Sequence, residues 1–345
     1  MKKVLFATTA LVATAGMAAA EVSFGGFGRF GLYYQENDNE IGSSTRIEQR
    51  FRLTATGVAT SDNGLKFEGR IRFQTDESGA NPVQVGGAGA GNIYTGGGYG
   101  SSNVAQRSAA GFAVTSGGFR LDVGHVSDVI DSGDVINYYG YGVGLTSFVE
   151  QSSGWALPAS GFGTSGDDAR IDPTIKLRYA MGDLTVSGSY TDGAETVIGD
   201  TTPTFISEAE EWQLGVGYNF GNYSAGIAFG NRSVDLTDED RATTSVDNDF
   251  WAATFGGDIG AFAFSILVGD SDLQDDTSYG FSVKYDISAA TDIRFAFSDN
   301  GFDVADEAYG IGFRHSLGGG VSLRGGIGQN IAGNSVADLG VVFNF

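Results

Sequence analysis

Seven basic side chains lie between positions 29 and 72: Arg29, Arg46, Arg50, Arg52, Lys66, Arg70 and Arg72. Most of them recur at every second position, as in Arg46-x-Glu48-x-Arg50-x-Arg52 and Lys66-x-Glu68-x-Arg70-x-Arg72. A period of two places a side-chain row on one face of an extended strand. Fixed cations along an aqueous path select among ions, and carboxylates facing them add a transverse field. Segment 126–171 carries such carboxylates: Asp128, Asp131, Asp134 and Glu150, with Asp167 and Asp168 further on. Lys176 and Arg178 form a smaller basic pair.

Other chemistry finds little support. The two histidines, His125 and His315, are far apart and lack metal-ligand spacing, and there is no cysteine. No Ser/His/carboxylate motif stands out, and Gly87–Gly91 is glycine-rich without the strand and helix of a phosphate cradle. Catalytic residues are therefore expected to be none, as are cofactors and an assigned metal site. Asp235, Asp238, Glu239 and Asp240, and Asp270, Asp272, Asp275 and Asp276, have the carboxylate chemistry that holds Ca²⁺. They lack EF-hand spacing, and solvated loops are the simpler reading.

The elements that position these groups repeat the same alternation. Phe51, Leu53 and Ala55 face one way; Arg50, Arg52 and Thr54 face the other. From Val22 to Phe345 the pattern recurs in sixteen segments, separated alternately by short turns and longer, often acidic connections. The short ones include Ser61-Asp62-Asn63, Met181-Gly182-Asp183 and Phe220-Gly221-Asn222; the longer ones include 36–43, 192–207, 235–249 and 270–276. An even number of roughly ten-residue segments with this turn order is the layout of a transmembrane barrel. An open sheet edge has no water to bond in lipid, so such a sheet closes. Sixteen strands enclose a water-filled lumen, which lets the inner face be polar. The expected fold is all-β: a 16-stranded antiparallel transmembrane β-barrel, with short periplasmic turns and long external loops. A secreted sandwich also alternates, but does not keep one apolar face through every segment.

Composition agrees. Fifty-five glycines in 345 residues, about twice the usual share, suit strand bends and close approach of a folded-in loop to the wall. Forty-two acidic against 20 basic residues, a net charge of −22, exclude nucleic acid as a partner. Met1-Lys2-Lys3, an apolar stretch and Ala18-Ala19-Ala20 read as a cleaved signal peptide, 1–20, ahead of a barrel domain, 21–345.

The chain resembles general diffusion porins of the alphaproteobacterial type. The resemblance is carried by Gly318–Ile327, by Asn334–Phe345 with its terminal Phe, by Ser61–Glu68 and by Phe220–Gly226. It implies a homotrimer in the outer membrane of a Gram-negative bacterium, in contact with its lipids and lipopolysaccharide. It also implies passive passage of ions and small hydrophilic solutes, and a third loop folded into the lumen as a constriction, here 126–171. Phe345 is then the expected insertion signal. Opposed by loop carboxylates, the seven basic residues are expected to leave a mild cation preference. A substrate-specific channel, or a non-conducting adhesin, on the same barrel is the alternative.

Overall fold

The computed structural model describes residues 21–36, 44–76, 106–107, 110–136, 140–150, 173–193, 196–198, 205–237 and 243–345. The candidate signal peptide, the glycine-rich run Val85–Tyr99 and residues Tyr138, Tyr139, Trp155, Asp167, Asp168, Asp238, Glu239 and Asp240 lie outside them.

The strands are β1 (Glu21–Gln35), β2 (Thr45–Thr60), β3 (Lys66–Asp76), β4 (Gln106–Arg107), β5 (Gly111–Ser116), β6 (Phe119–Gly124), β7 (Thr174–Met181), β8 (Leu184–Asp192) and β9 (Thr196–Ile198). They continue as β10 (Phe205–Phe220), β11 (Tyr223–Thr237), β12 (Thr243–Ile259), β13 (Phe262–Ser271), β14 (Ser278–Ser288), β15 (Thr291–Asp299), β16 (Ala308–Gly318), β17 (Val321–Gln329) and β18 (Ser335–Asn344). Every pairing is antiparallel between neighbours in the chain, and β1 pairs with β18, so the sheet closes. The short pieces β4 and β9 pair with β3 and β10 alongside β5 and β8, leaving sixteen strands around the wall.

The alternation appears as two faces. Phe30, Leu32, Ile47, Phe51, Ile175, Leu177, Leu214, Phe229, Phe281 and Leu339 are exposed on the outside, whereas Arg29, Glu48, Gln74, Asp122, Lys176, Gln213, Arg294 and Asp338 are buried within. An outer face that is largely apolar, with charge inside, is the reverse of a soluble protein. Short turns are tight where glycine takes a left-handed backbone, as at Gly182 (φ 60°) and Gly221 (φ 64°).

Two of the longer connections are shorter than the sequence pattern implies. β11 runs to Thr237 and β12 starts at Thr243, and β9 with the first three residues of β10 lies within 192–207. Val234 faces Val246 and Thr237 Oγ1 lies 3.0 Å from Thr243 Oγ1, which extends the β11–β12 ladder.

Candidate functional site: the lumen and its inward loop

The connection after β6 enters the barrel. Its first part packs Val129, Ile130, Val135 and Ile136 against Ala228, Phe250, Ala252 and Leu267 of the inner wall. Its second part packs Val143, Phe148 and Val149 against Tyr33, Ala296, Ala308 and Val336. Phe148 is fully buried. Apolar loop side chains thus meet the few apolar inward positions of β11–β13, β15, β16, β18 and β1, which anchors a segment that would otherwise float in water.

Polar anchors fix it further. Ile130 N–H donates to Gln213 Oε1 at 2.9 Å, and Tyr141 N–H to Ser282 Oγ at 3.1 Å. Asp338, on β18, accepts Leu145 N–H at 2.9 Å, Thr146 N–H at 2.8 Å and Thr146 Oγ1–H at 2.8 Å. Arg294 donates to the carbonyls of Tyr141 and Gly142 while its Nε holds Asp292 at 2.6 Å.

These contacts redirect most of the loop carboxylates. Asp134 bridges Lys176 (3.0 Å) and Arg178 (2.6 Å), the smaller basic pair, on β7. Burial would raise the Asp134 pKa, but the two cations outweigh it and hold the carboxyl below the usual range. Glu150 is buried and accepts Gly142 N–H (2.9 Å), Val143 N–H (3.0 Å) and Ser282 Oγ–H (3.2 Å). Burial pushes its pKa up despite those donors. Asp128 is fully buried and accepts Asp131 N–H at 2.7 Å. Three of the four carboxylates expected to face the arginines therefore tie the loop down. Asp131 is the one within electrostatic reach of the arginine wall, at Arg72.

The basic residues all point inward but do different things. Arg29 is buried against Glu48, with Nε at 3.0 Å and Nη2 at 2.6 Å from Oε1. Its register partner is Arg50, so Glu48 offsets a direct like-charge pair. Arg46 stacks over Tyr33 at 4.1 Å, and Arg52 lies 5.1 Å from the Phe27 ring and donates to Gln74 at 2.6 Å. Lys66 sits at the short-turn rim, paired with Glu68 at 2.7 Å, about 13 Å along β3 from Arg70. Arg46, Arg50, Arg52, Arg70 and Arg72 thus form the basic face of β2 and β3, and Lys66 marks its lower edge.

His125 is buried where the loop leaves β6; burial first, then the positive Arg72 and Arg70, lower its pKa to about 4. His315 is on the outer face with Nδ1 2.8 Å from Thr291 Oγ1. Among the described residues no cluster of His, Cys, Asp or Glu is arranged to hold a metal ion. Of the acidic rim residues, Asp272 Oδ2 accepts Asp249 N–H at 3.1 Å and Asp275 Oδ2 accepts Asp303 N–H at 2.9 Å.

Fold and site together define a closed β-barrel with a loop seated on its inner wall. A family model for Gram-negative porins matches residues 7–334, and the chain belongs to that family, a family of channels rather than enzymes. It is similar to the porin of Fuscovulum blasticum, 28% identical over 94% of this chain and 100% of the relative. It is also similar to the porin of Rhodobacter capsulatus, 27% identical over the same shares. Solved structures of engineered Rhodopseudomonas blastica porin superpose with TM-score 0.68 at 24% identity, covering 94% of this chain and 100% of that one.

Proposed function

We propose that the chain is an outer-membrane pore for passive diffusion of ions and small hydrophilic solutes, mildly cation-selective at low salt. Its long loops face outward and its short turns the periplasm. Residues 1–20 direct export and are removed, and the barrel works as a homotrimer among outer-membrane lipids and lipopolysaccharide. Loss of Lys2 and Lys3 makes the mature chain two units more negative than the full chain's −22. The observation that carries this reading is the loop's placement: its apolar side is seated on the inner wall, and Asp131 approaches the β2–β3 arginines.

Two fields compete. Acidic rim residues enrich cations at the mouth, an effect screened beyond about 8–10 Å at physiological salt. The arginines act at contact in the narrows and favour anions. The zero-current potential across a salt gradient tests this, wild type against Arg50→Gln/Arg52→Gln/Arg70→Gln/Arg72→Gln. The variant is expected to show stronger cation preference and larger conductance. An unchanged potential and conductance would place these arginines off the ion path. Saturation of conductance by one solute would favour a specific channel, and no conductance an adhesin.

A further inference from the structure

We infer that the lumen face of β16 and β17, directly beneath the inward loop on its short-turn side, is a binding site for a small doubly charged oxyanion of the phosphate or sulfate type. The inference rests on the reading of the lumen as an aqueous path. Register carries it. Three successive cross-strand pairs share this inward face: Gly312 with Gly326, Arg314 with Arg324, and Ser316 with Ser322. The glycine pair seats the loop, because a Cβ at Gly312 would lie 2.9 Å from Gly144 N and one at Gly326 2.9 Å from Gly144 Cα. The loop therefore forms a roof immediately above two guanidiniums, and two hydroxyls form the floor one step below.

Directly opposed like charges destabilise an antiparallel pair unless something offsets them. At Arg29 and Arg50 that role falls to Glu48. At Arg314 and Arg324 no carboxylate is within ion-pair distance among the described residues. The nearest acidic neighbour by register, Asp292 opposite Arg314, is held by Arg294 Nε at 2.6 Å. Arg29 is likewise committed to Glu48. Arg324 Nε donates to Ser322 Oγ at 3.1 Å, so this bond does not engage its terminal nitrogens. Both arginines are half-buried, so the pair is partly desolvated yet reachable from the aqueous side. Two guanidinium forks, with the exposed Ser316 hydroxyl one step below them, match the several acceptor oxygens of a tetrahedral dianion, whereas chloride offers a single centre.

The test is the line width of inorganic phosphate in phosphorus NMR as folded protein in detergent is added, with sulfate as competitor. Wild type is expected to broaden the line saturably, and sulfate to reverse it. Arg314→Gln/Arg324→Gln, shown folded by heat-modifiable migration, is expected to weaken this about tenfold. Arg314→Lys/Arg324→Lys keeps the charge without the fork and should fall between. Where the double glutamine variant fails to fold, the single variants R314Q and R324Q serve in its place. Undiminished broadening in these variants, or an equal loss in Arg50→Gln/Arg52→Gln, would overturn the site. Potassium chloride conductance of the same wild-type preparation judges the pore reading separately. A conducting pore without saturable broadening overturns the site alone; broadening without conductance overturns the pore alone.

Discussion

Removing the Asp338 carboxylate is expected to unlatch the far half of the loop. Asp338→Ala deletes the acceptor of Leu145 N–H, Thr146 N–H and Thr146 Oγ1–H, all at 2.8–2.9 Å. Hydrogen bonds to a charged group contribute about 1.5–3 kcal/mol each, but lumen water re-solvates the two amides once the segment lifts, so the net loss is about 3 kcal/mol. That shifts the balance between seated and lifted loop about a hundredfold. The remaining seat is the apolar packing of Val143, Phe148 and Val149 and the Glu150 contacts, so the loop is expected to flicker rather than leave. Single-channel recording reads this as excess open-channel noise and brief substates, and limited proteolysis as faster cleavage within 140–150. Asp338→Asn is the control, since one amide oxygen still accepts while the new N–H₂ opposes a donor; it should give an intermediate effect. Recordings and cleavage rates of Asp338→Ala identical to wild type would refute the latch, and with it the assignment of Asp338 as more than a lumen-lining charge.

Asp134, whose pKa is depressed in the folded protein, contributes stability present above the ordinary aspartate value and lost as pH falls through the folded value. Wild type should therefore become noisier as pH drops below about 4, and Asp134→Asn should be noisy already at neutral pH without that step. Glu150 works in the opposite sense: its raised pKa means its contribution is full below the ordinary glutamate value and declines as pH rises through the folded one. Conductance–pH curves of Glu150→Gln should accordingly lack an anchoring step that opposes that of Asp134. Gly226→Ala would drive a Cβ into the Val135 carbonyl, so it is expected to lift the near half of the loop and raise unit conductance; an unchanged value would refute that seat. Deleting 336–345 removes the ladder joining β17 to β1 and the stacking of Phe345 on Phe51 at 5.5 Å, leaving two open edges at several kcal/mol per unsatisfied group. No heat-modifiable oligomer should form, and recovery of one would refute the role of Phe345 in insertion.

The barrel was legible in the sequence because its cause is local. A closed sheet with an apolar outer face and a polar inner one needs a two-residue period, and that period is written into the strands, from Phe30 and Leu32 to Val341 and Phe343. The same parity turns the β2 and β3 arginines inward. What it did not reveal was partnership. An inward Asp338 or Gln213 is an ordinary lumen residue by pattern, and nothing near it in the chain announces a contact 193 or 83 residues away. Asp134 and Glu150 read as pore charges for the same reason: charge type is visible, but the Lys176, Arg178 and Ser282 that claim them are not.

The glycines mark the loop's seat on the wall. Their excess pointed to a loop lying close to the wall, without saying where. In the structure the inward glycines trace its path. Gly215, Gly217 and Gly226 lie under Val129 and Val135, Gly310 under Phe148, Gly312 and Gly326 under Val143 and Gly144, and Gly31 and Gly340 under Leu145. Each stands at a position whose parity demands a lumen side chain, in a lumen where most neighbours are polar or charged. A small residue there removes the obstacle between ladder and loop backbone, and so lets apolar loop side chains reach the sheet. Strand parity combined with glycine position thus locates the loop on the wall. The same logic explains why the arginine pair of β16 and β17 begins one step below the last glycine pair: the wall regains its charged side chains where the loop's seat ends.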